Sequence, residues 1–281
     1  MSDIPISAIT ASKHSGQATT VIAIANQKGG VGKTTTTINL ATALAVAGKR
    51  VLLVDLDPQG NASTGLGIGR EDRGAGTYAL LTDTVTADAV TQKTFLPSLS
   101  IIAAEPDLAG AEIELVGGAR REFKLRDALR PNSKTSIKYD FVLIDCPPSL
   151  GLLTLNGLVA ADSVLVPLQC EFFALEGLSQ LMRTIEAVKR NLNTALKLEG
   201  IVLTMYDRRN NLSDLVANDA RGFFGETVYE TVIPRNIRIS EAPSHGKPVI
   251  IYDHRSPGAQ AYIKLAAEVL RRSQPNNGTR A

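Results

Sequence analysis

Seven short apolar runs recur along this chain, and four of the six gaps between them hold stretches with helical periodicity. The runs are Val21-Ile22-Ala23-Ile24-Ala25, Val51-Leu52-Leu53-Val54, Leu99-Ser100-Ile101-Ile102, Phe141-Val142-Leu143-Ile144, Ser163-Val164-Leu165-Val166, Gly200 to Thr204 and Val228 to Ile233. Runs this short and rich in β-branched residues fit strands buried on both faces. Between the first two, Ile38, Ala41, Leu44 and Ala45 recur at helical spacing, and Gly48 stands where a helix stops. Further helical material is expected over Asp107 to Leu129, Leu175 to Leu192, Ser213 to Phe224 and Gly258 to Arg272. Strands alternating with helices define the α/β class, because parallel neighbours need a crossover. The expectation is an α/β fold, a mostly parallel sheet with helices on both faces. It forms one domain over residues 20–272, between flexible tails at 1–19 and 273–281.

Composition excludes several classes. The two cysteines cannot frame a disulfide scaffold or a four-thiolate zinc site within one chain. No segment reaches the ~18 uninterrupted apolar residues of a membrane helix. The nearest, Gly151 to Leu168, is broken by Asn156, Asp162 and Pro167. Residues 1–20 lack the apolar core of a signal peptide, so a cytoplasmic location is expected. A net charge of +2 does not by itself call for nucleic acid.

The chemistry begins at Lys28-Gly29-Gly30-Val31-Gly32-Lys33-Thr34-Thr35, between the first strand and the first helix. Glycines there let several N–H groups converge, and the helix adds the positive end of its dipole. Lys33 can neutralise the β and γ phosphates, and the Thr34 hydroxyl can ligate Mg²⁺. The usual pattern places Gly five positions before Gly32, where this chain has Gln27. Two acidic segments, Asp55 to Asn61 and Asp145-Cys146-Pro147-Pro148-Ser149, follow strands and fall on the same sheet edge. Each Asp alone reads as a turn residue; together with the glycine turn they read as holders of magnesium or of an attacking water.

These motifs resemble the deviant Walker A superfamily: the Lys28–Thr35 loop, a second acidic motif at Asp55–Asn61, and a Walker B at Asp145–Pro148. Three later stretches, Gln169 to Gly177, Thr204 to Arg209 and Ile233 to Ser244, resemble ParA-type (Soj-like) chromosome partition ATPases. The resemblance spans about residues 20–272. It implies ATP and Mg²⁺ as ligands, with Lys33 on phosphate, Thr34 on magnesium, Asp57 positioning the attacking water and Asp145 supporting the metal. It also implies an ATP-bound homodimer in which Lys28 reaches the partner's phosphates. That dimer binds double-stranded DNA without sequence preference at the nucleoid. A ParB-type centromere-binding protein stimulates an otherwise weak hydrolysis.

The same resemblance puts Arg209 and Arg238 on DNA, with Arg208, Arg235 and Lys247 as weaker candidates. Charge adds nothing: Met205 to Lys247 holds six basic and six acidic residues. Pro234 and Asn236 resemble an adenine-contacting loop, and are read equally well as a turn; Met205 reads as core or pocket wall. Cys146 and Cys170 raise the iron–sulfur reading of nitrogenase iron proteins, but small buried thiols are the commoner case. His14, His245 and His254 lack metal spacing. The last helix carries Tyr262, Leu265, Ala266, Val269 and Leu270 on one face and reads as core-docking, without membrane binding. The competing function is a MinD-like or MipZ-like division-positioning ATPase.

Overall fold

The computed structural model describes residues 19–82, 84–130, 139–172 and 174–273. Most of both expected tails, together with His14 and Phe173, lies outside the described residues.

Among the described residues, eight strands form one sheet in the order β3-β4-β2-β5-β1-β6-β7-β8. They are β1 (Thr20–Ile24), β2 (Val51–Asp55), β3 (Thr91–Lys93), β4 (Leu99–Ile102), β5 (Phe141–Asp145), β6 (Ser163–Gln169), β7 (Lys197–Tyr206) and β8 (Val228–Pro234). All pairings are parallel except β3 with β4. The helices, in chain order, are α1 (Lys33–Val46), α2 (Asn61–Gly65), α3 (Thr77–Leu81), α4 (Ala87–Val90), α5 (Leu108–Glu114), α6 (Lys124–Leu129), α7 (Leu152–Ala160), α8 (Ala174–Asn191), α9 (Asn211–Phe224), α10 (Ile237–Glu241), α11 (Val249–Tyr252) and α12 (Pro257–Arg272).

Strand periodicity splits the core in two. Val21, Ala23 and Ala25 face one apolar cluster with α3 to α9, whereas Ile22 and Ile24 face a second with α1, α2, α11 and α12. Both faces of the central strands are therefore dry, which explains why the runs are continuously apolar rather than alternating. The closing helix α12 docks Tyr262, Leu265, Ala266 and Val269 into the second cluster. No described helix is long and apolar enough to cross a membrane.

Three departures from expectation have local causes. The Asp107–Leu129 stretch is not one helix: α5 and α6 are separated by two short 3-10 turns around Gly117-Gly118. Strand β3 is a three-residue polar edge, Thr-Gln-Lys, with no apolar signal. Helix α7 was not expected, because its buried Asn156 looks like a break in an apolar run. That side chain accepts from Leu125 N and donates to the Arg121 and Leu152 carbonyls.

Two loops meet with almost nothing between them. A Cβ on Gly246 would lie 3.1 Å from Gly67 Cα, and one on Gly67 would lie 3.2 Å from the Gly246 carbonyl. Gly67 and Gly246 also have positive φ, 81° and 61° respectively, so only glycine fits either position without strain.

Candidate nucleotide site

The loop from Ala25 to Gly32 carries the chain from the end of β1 into α1. Gly30 and Gly32 have φ of 76° and 88°, in the left-handed region. Gly32 is the N-cap of α1 and supplies no side-chain cap, so the first N–H groups of the helix stay available to an anion. The loop is pinned from both sides. Thr204 Oγ1 donates to the Val31 carbonyl at 2.8 Å. Asn26 donates to the Pro167 carbonyl at 2.8 Å and accepts from Lys28 N at 3.0 Å. Lys33 is buried, and its ammonium donates to the Lys28 carbonyl at 3.1 Å. Burial pulls its pKa below the ordinary lysine value, while Asp145 and Asp57 oppose that pull. Lys28 forms an ion pair with Glu171 of the same chain.

Register supplies the acidic partners. Asp145, the last residue of β5, lies opposite both Ile24 of β1 and Asp55 of β2. Asp55 and Asp145 are fully buried, and Asp57 is 7% exposed. Burial raises the pKa of both Asp55 and Asp145, and the charge of Asp57 adds to it at Asp55, that of Asp55 and then Asp57 at Asp145. Asp55 is occupied structurally: its Oδ2 accepts from Ser63 N at 2.8 Å and Ser63 Oγ at 2.6 Å. Asp145 Oδ1 accepts from Thr37 Oγ1 at 3.0 Å, and the Thr34 hydroxyl also lowers its pKa. Its Oδ2 is buried with no hydrogen-bond partner among the described residues. An orphaned buried carboxylate oxygen beside a threonine hydroxyl is the donor set a hard divalent cation takes.

A cavity of about 280 Å³ adjoins the loop, lined by Gly32, Thr35, Met205, Pro234, Asn236 and Tyr262 among others. Met205 has φ of 51°, and Asn236 Oδ1 is buried without a partner among the described residues. The structure thus brings the three base-loop candidates, Met205, Pro234 and Asn236, to one wall beside the phosphate turn.

The basic candidates divide. Arg208, Arg209 and Arg235 line one groove, joined there by Lys264 of α12. Arg238 and Lys247 are not in it. Arg238 bonds Glu241 at 2.9 Å and lies 3.6 Å from Asp253, and Lys247 is exposed on the loop after α10. Arg209 is tied to Asp207 by two bonds, at 3.0 and 2.9 Å. Cys146 and Cys170 are both buried, and burial raises both thiol pKa values, Cys170 to about 11. Sequence reasoning missed Thr37, one helical turn beyond Lys33, and Glu171 as the holder of Lys28. It also gave no sign that Arg73 is buried and bonded to the Gly60 and Ala104 carbonyls beside the Asp57 segment.

A parallel sheet whose adjoining strand ends carry a glycine turn, a buried lysine and paired carboxylates defines a P-loop nucleotide-binding protein. The profile of a family described as an AAA domain matches residues 19–198. The chromosome partitioning protein ParA of Caulobacter vibrioides is 61% identical over 254 residues, covering 90% of this chain and 95% of its own. The sporulation initiation inhibitor protein Soj of Bacillus subtilis is 55% identical over 249 residues, covering 89% and 97%. Among solved structures, a Mycobacterium smegmatis cobyrinic acid a,c-diamide synthase with bound ADP and magnesium superposes with a TM-score of 0.78. It is 41% identical and covers 90% of this chain and 94% of that one. The chain belongs to the ParA/Soj family of P-loop chromosome-partitioning ATPases.

Proposed function

We propose that the chain works as a single ATPase domain that pairs with a second copy when ATP and magnesium are bound. The pair binds double-stranded DNA without sequence preference and moves replication origins together with a ParB-type partner at the nucleoid. The observation that carries this reading is the convergence of Lys33, Asp57 and the orphaned Asp145 oxygen at the adjoining ends of β1, β2 and β5.

In this reading the amides of Gly29 to Thr35 cradle the phosphates and Lys33 neutralises them. Thr34 and Asp145, with Asp57 nearby, hold magnesium, which when bound spreads the charge of the β and γ phosphates. Asp57 orients the attacking water. Lys28 exchanges Glu171 for the phosphates of the other copy, delivering positive charge where negative charge develops. Asn236, beside Met205 and Pro234, offers its carboxamide to the adenine edge. Arg208, Arg209 and Arg235, with Arg238 and Lys247, meet DNA phosphates, and such contacts carry no base information. The 61% and 55% identity to proteins named for chromosome partitioning and sporulation control favours this role over division-site positioning.

DNA binding measured with ATP and magnesium, with ADP and magnesium, and without nucleotide, at two salt concentrations, tests the proposal. Tight binding only with ATP, weakening steeply with salt, is expected. Equal binding under all three conditions would remove the nucleotide switch.

A further inference from the structure

Asp57 lies beyond the end of β2, on a turn rather than in the sheet. Gly60 N donates to the Asp57 carbonyl at 2.8 Å, and Gln59 N donates to Asp57 Oδ1 at 3.0 Å. Asp57 N also donates to Asp55 Oδ1 at 3.3 Å, and the Gly60 carbonyl accepts from Thr64 N at 3.1 Å. The Gly60 carbonyl meets Arg73, whose Nη2 donates to it at 3.0 Å and to Thr64 Oγ1 at 2.8 Å. Nη1 of the same guanidinium donates to the Ala104 carbonyl, just past β4, at 3.0 Å. The fit around the turn is close, since a Cβ on Gly60 would overlap the guanidinium.

Arg73 is 3% exposed. Its three bonds all go to uncharged oxygens, and its Nε has no partner among the described residues. A cation buried among neutral acceptors is costly compared with an apolar side chain of like volume. Space-filling therefore does not account for it. What an arginine adds is a planar fork that holds two carbonyls at a set separation. The far anchor is itself braced: Ala104 N donates to Ser63 Oγ at 3.1 Å, and Ser63 Oγ donates to Asp55. One side chain thus joins the Asp57 turn, the first turn of α2 and the end of β4.

We propose that Arg73 is a positioning residue for ATP hydrolysis, holding the Asp57 turn against the end of β4 and so setting where the Asp57 carboxylate stands. The inference rests on the water-orienting role given to Asp57 above.

The test is steady-state phosphate release by the full chain with ATP and magnesium, alongside direct ATP binding. The proteins are wild type, Arg73→Met, Arg73→Lys, Asp57→Asn and the two double variants. A misplacement of about 1 Å costs roughly 100-fold in rate, so Arg73→Met is expected to lower kcat by about 10- to 100-fold. KM and ATP affinity should stay within about 3-fold. Arg73→Lys, which keeps the charge but lacks the planar fork, falls between. In the Asp57→Asn background, Arg73→Met is expected to add less than about 3-fold, because residues acting as a unit are not additive. Multiplying losses, or ATP affinity falling together with kcat, would overturn the positioning role and leave Arg73 a fold residue. Asp57→Asn hydrolysing at the wild-type rate would overturn the assignment of Asp57, and with it the route by which Arg73 acts. Should Arg73→Met fail to fold by circular dichroism, Arg73→Lys carries the same double cycle.

Discussion

The phosphate edge and the basic groove are built on opposite principles. At the edge, Lys33, Asp55 and Asp145 are buried, and each position is fixed by strand register or by the turn from β1 into α1. In the groove and on the loop beyond it, the arginines are exposed and two already pair with their own chain: Arg209 with Asp207, Arg238 with Glu241. Exposed pairs of that kind contribute little to stability. In the proposed reading their value lies in being exchangeable for phosphate. Substitutions at the edge should therefore act nearly all-or-none, and those in the groove should be graded and salt-dependent.

The contrast is sharpest for Asp57. Asp57→Ala is expected to lower hydrolysis by about 10²- to 10⁴-fold while ATP stays bound, measured as phosphate release against calorimetric binding. Lys33→Ala is expected to weaken ATP binding by about 100-fold through loss of charge-assisted bonds, and ATP-dependent dimerisation, read by sedimentation, should go with it. In the basic set, Arg238→Glu is expected to lower DNA affinity only about 10-fold at matched salt, and to flatten the salt slope by about one charge contact. ATP binding should be unchanged. If Arg238→Glu instead abolished ATP binding, the division between the two regions would be broken.

The smallest effect concerns pH. In the folded chain the Asp145 pKa is raised, first by burial and then by Asp55. Above the ordinary carboxylate range the unfolded chain releases this proton while the folded chain retains it, so ν_U is less than ν_N and stability falls as pH rises toward the raised value. Nucleotide-free wild type is expected to melt lower at pH 8 than at pH 5.5. Asp145→Asn should flatten that difference by about 2–4 °C, read by thermal denaturation.

How much of this was legible in the sequence follows the same division. The strands and the glycine turn were readable because each is a local pattern: an apolar run, or Gly and Lys at fixed spacing before a helix. What escaped notice depends on distant partners. Asn156 looks like an interruption until Leu125 and Arg121 are placed beside it. Arg73 sits in Gly-Arg-Glu-Asp-Arg-Gly-Ala-Gly, which has the composition of a solvated loop. Its burial comes from the Gly60 and Ala104 carbonyls, 13 and 31 residues away. The basic candidates were never legible from charge, and the gathering of Arg208, Arg209 and Arg235 into one groove depends on β7 and β8 ending where α12 begins.

The approach of Gly67 to Gly246 has a consequence for how these regions can change. One glycine follows the Asp57 segment, and the other lies between Arg238 and α11. Main chain rests on main chain there, with no rotamer to swing aside and no methyl to trim. Slack at this joint is close to nil, so an insertion or a bulkier residue on one loop must shift the other. The two loops can drift in sequence elsewhere, but at this point they can be altered only as a matched set.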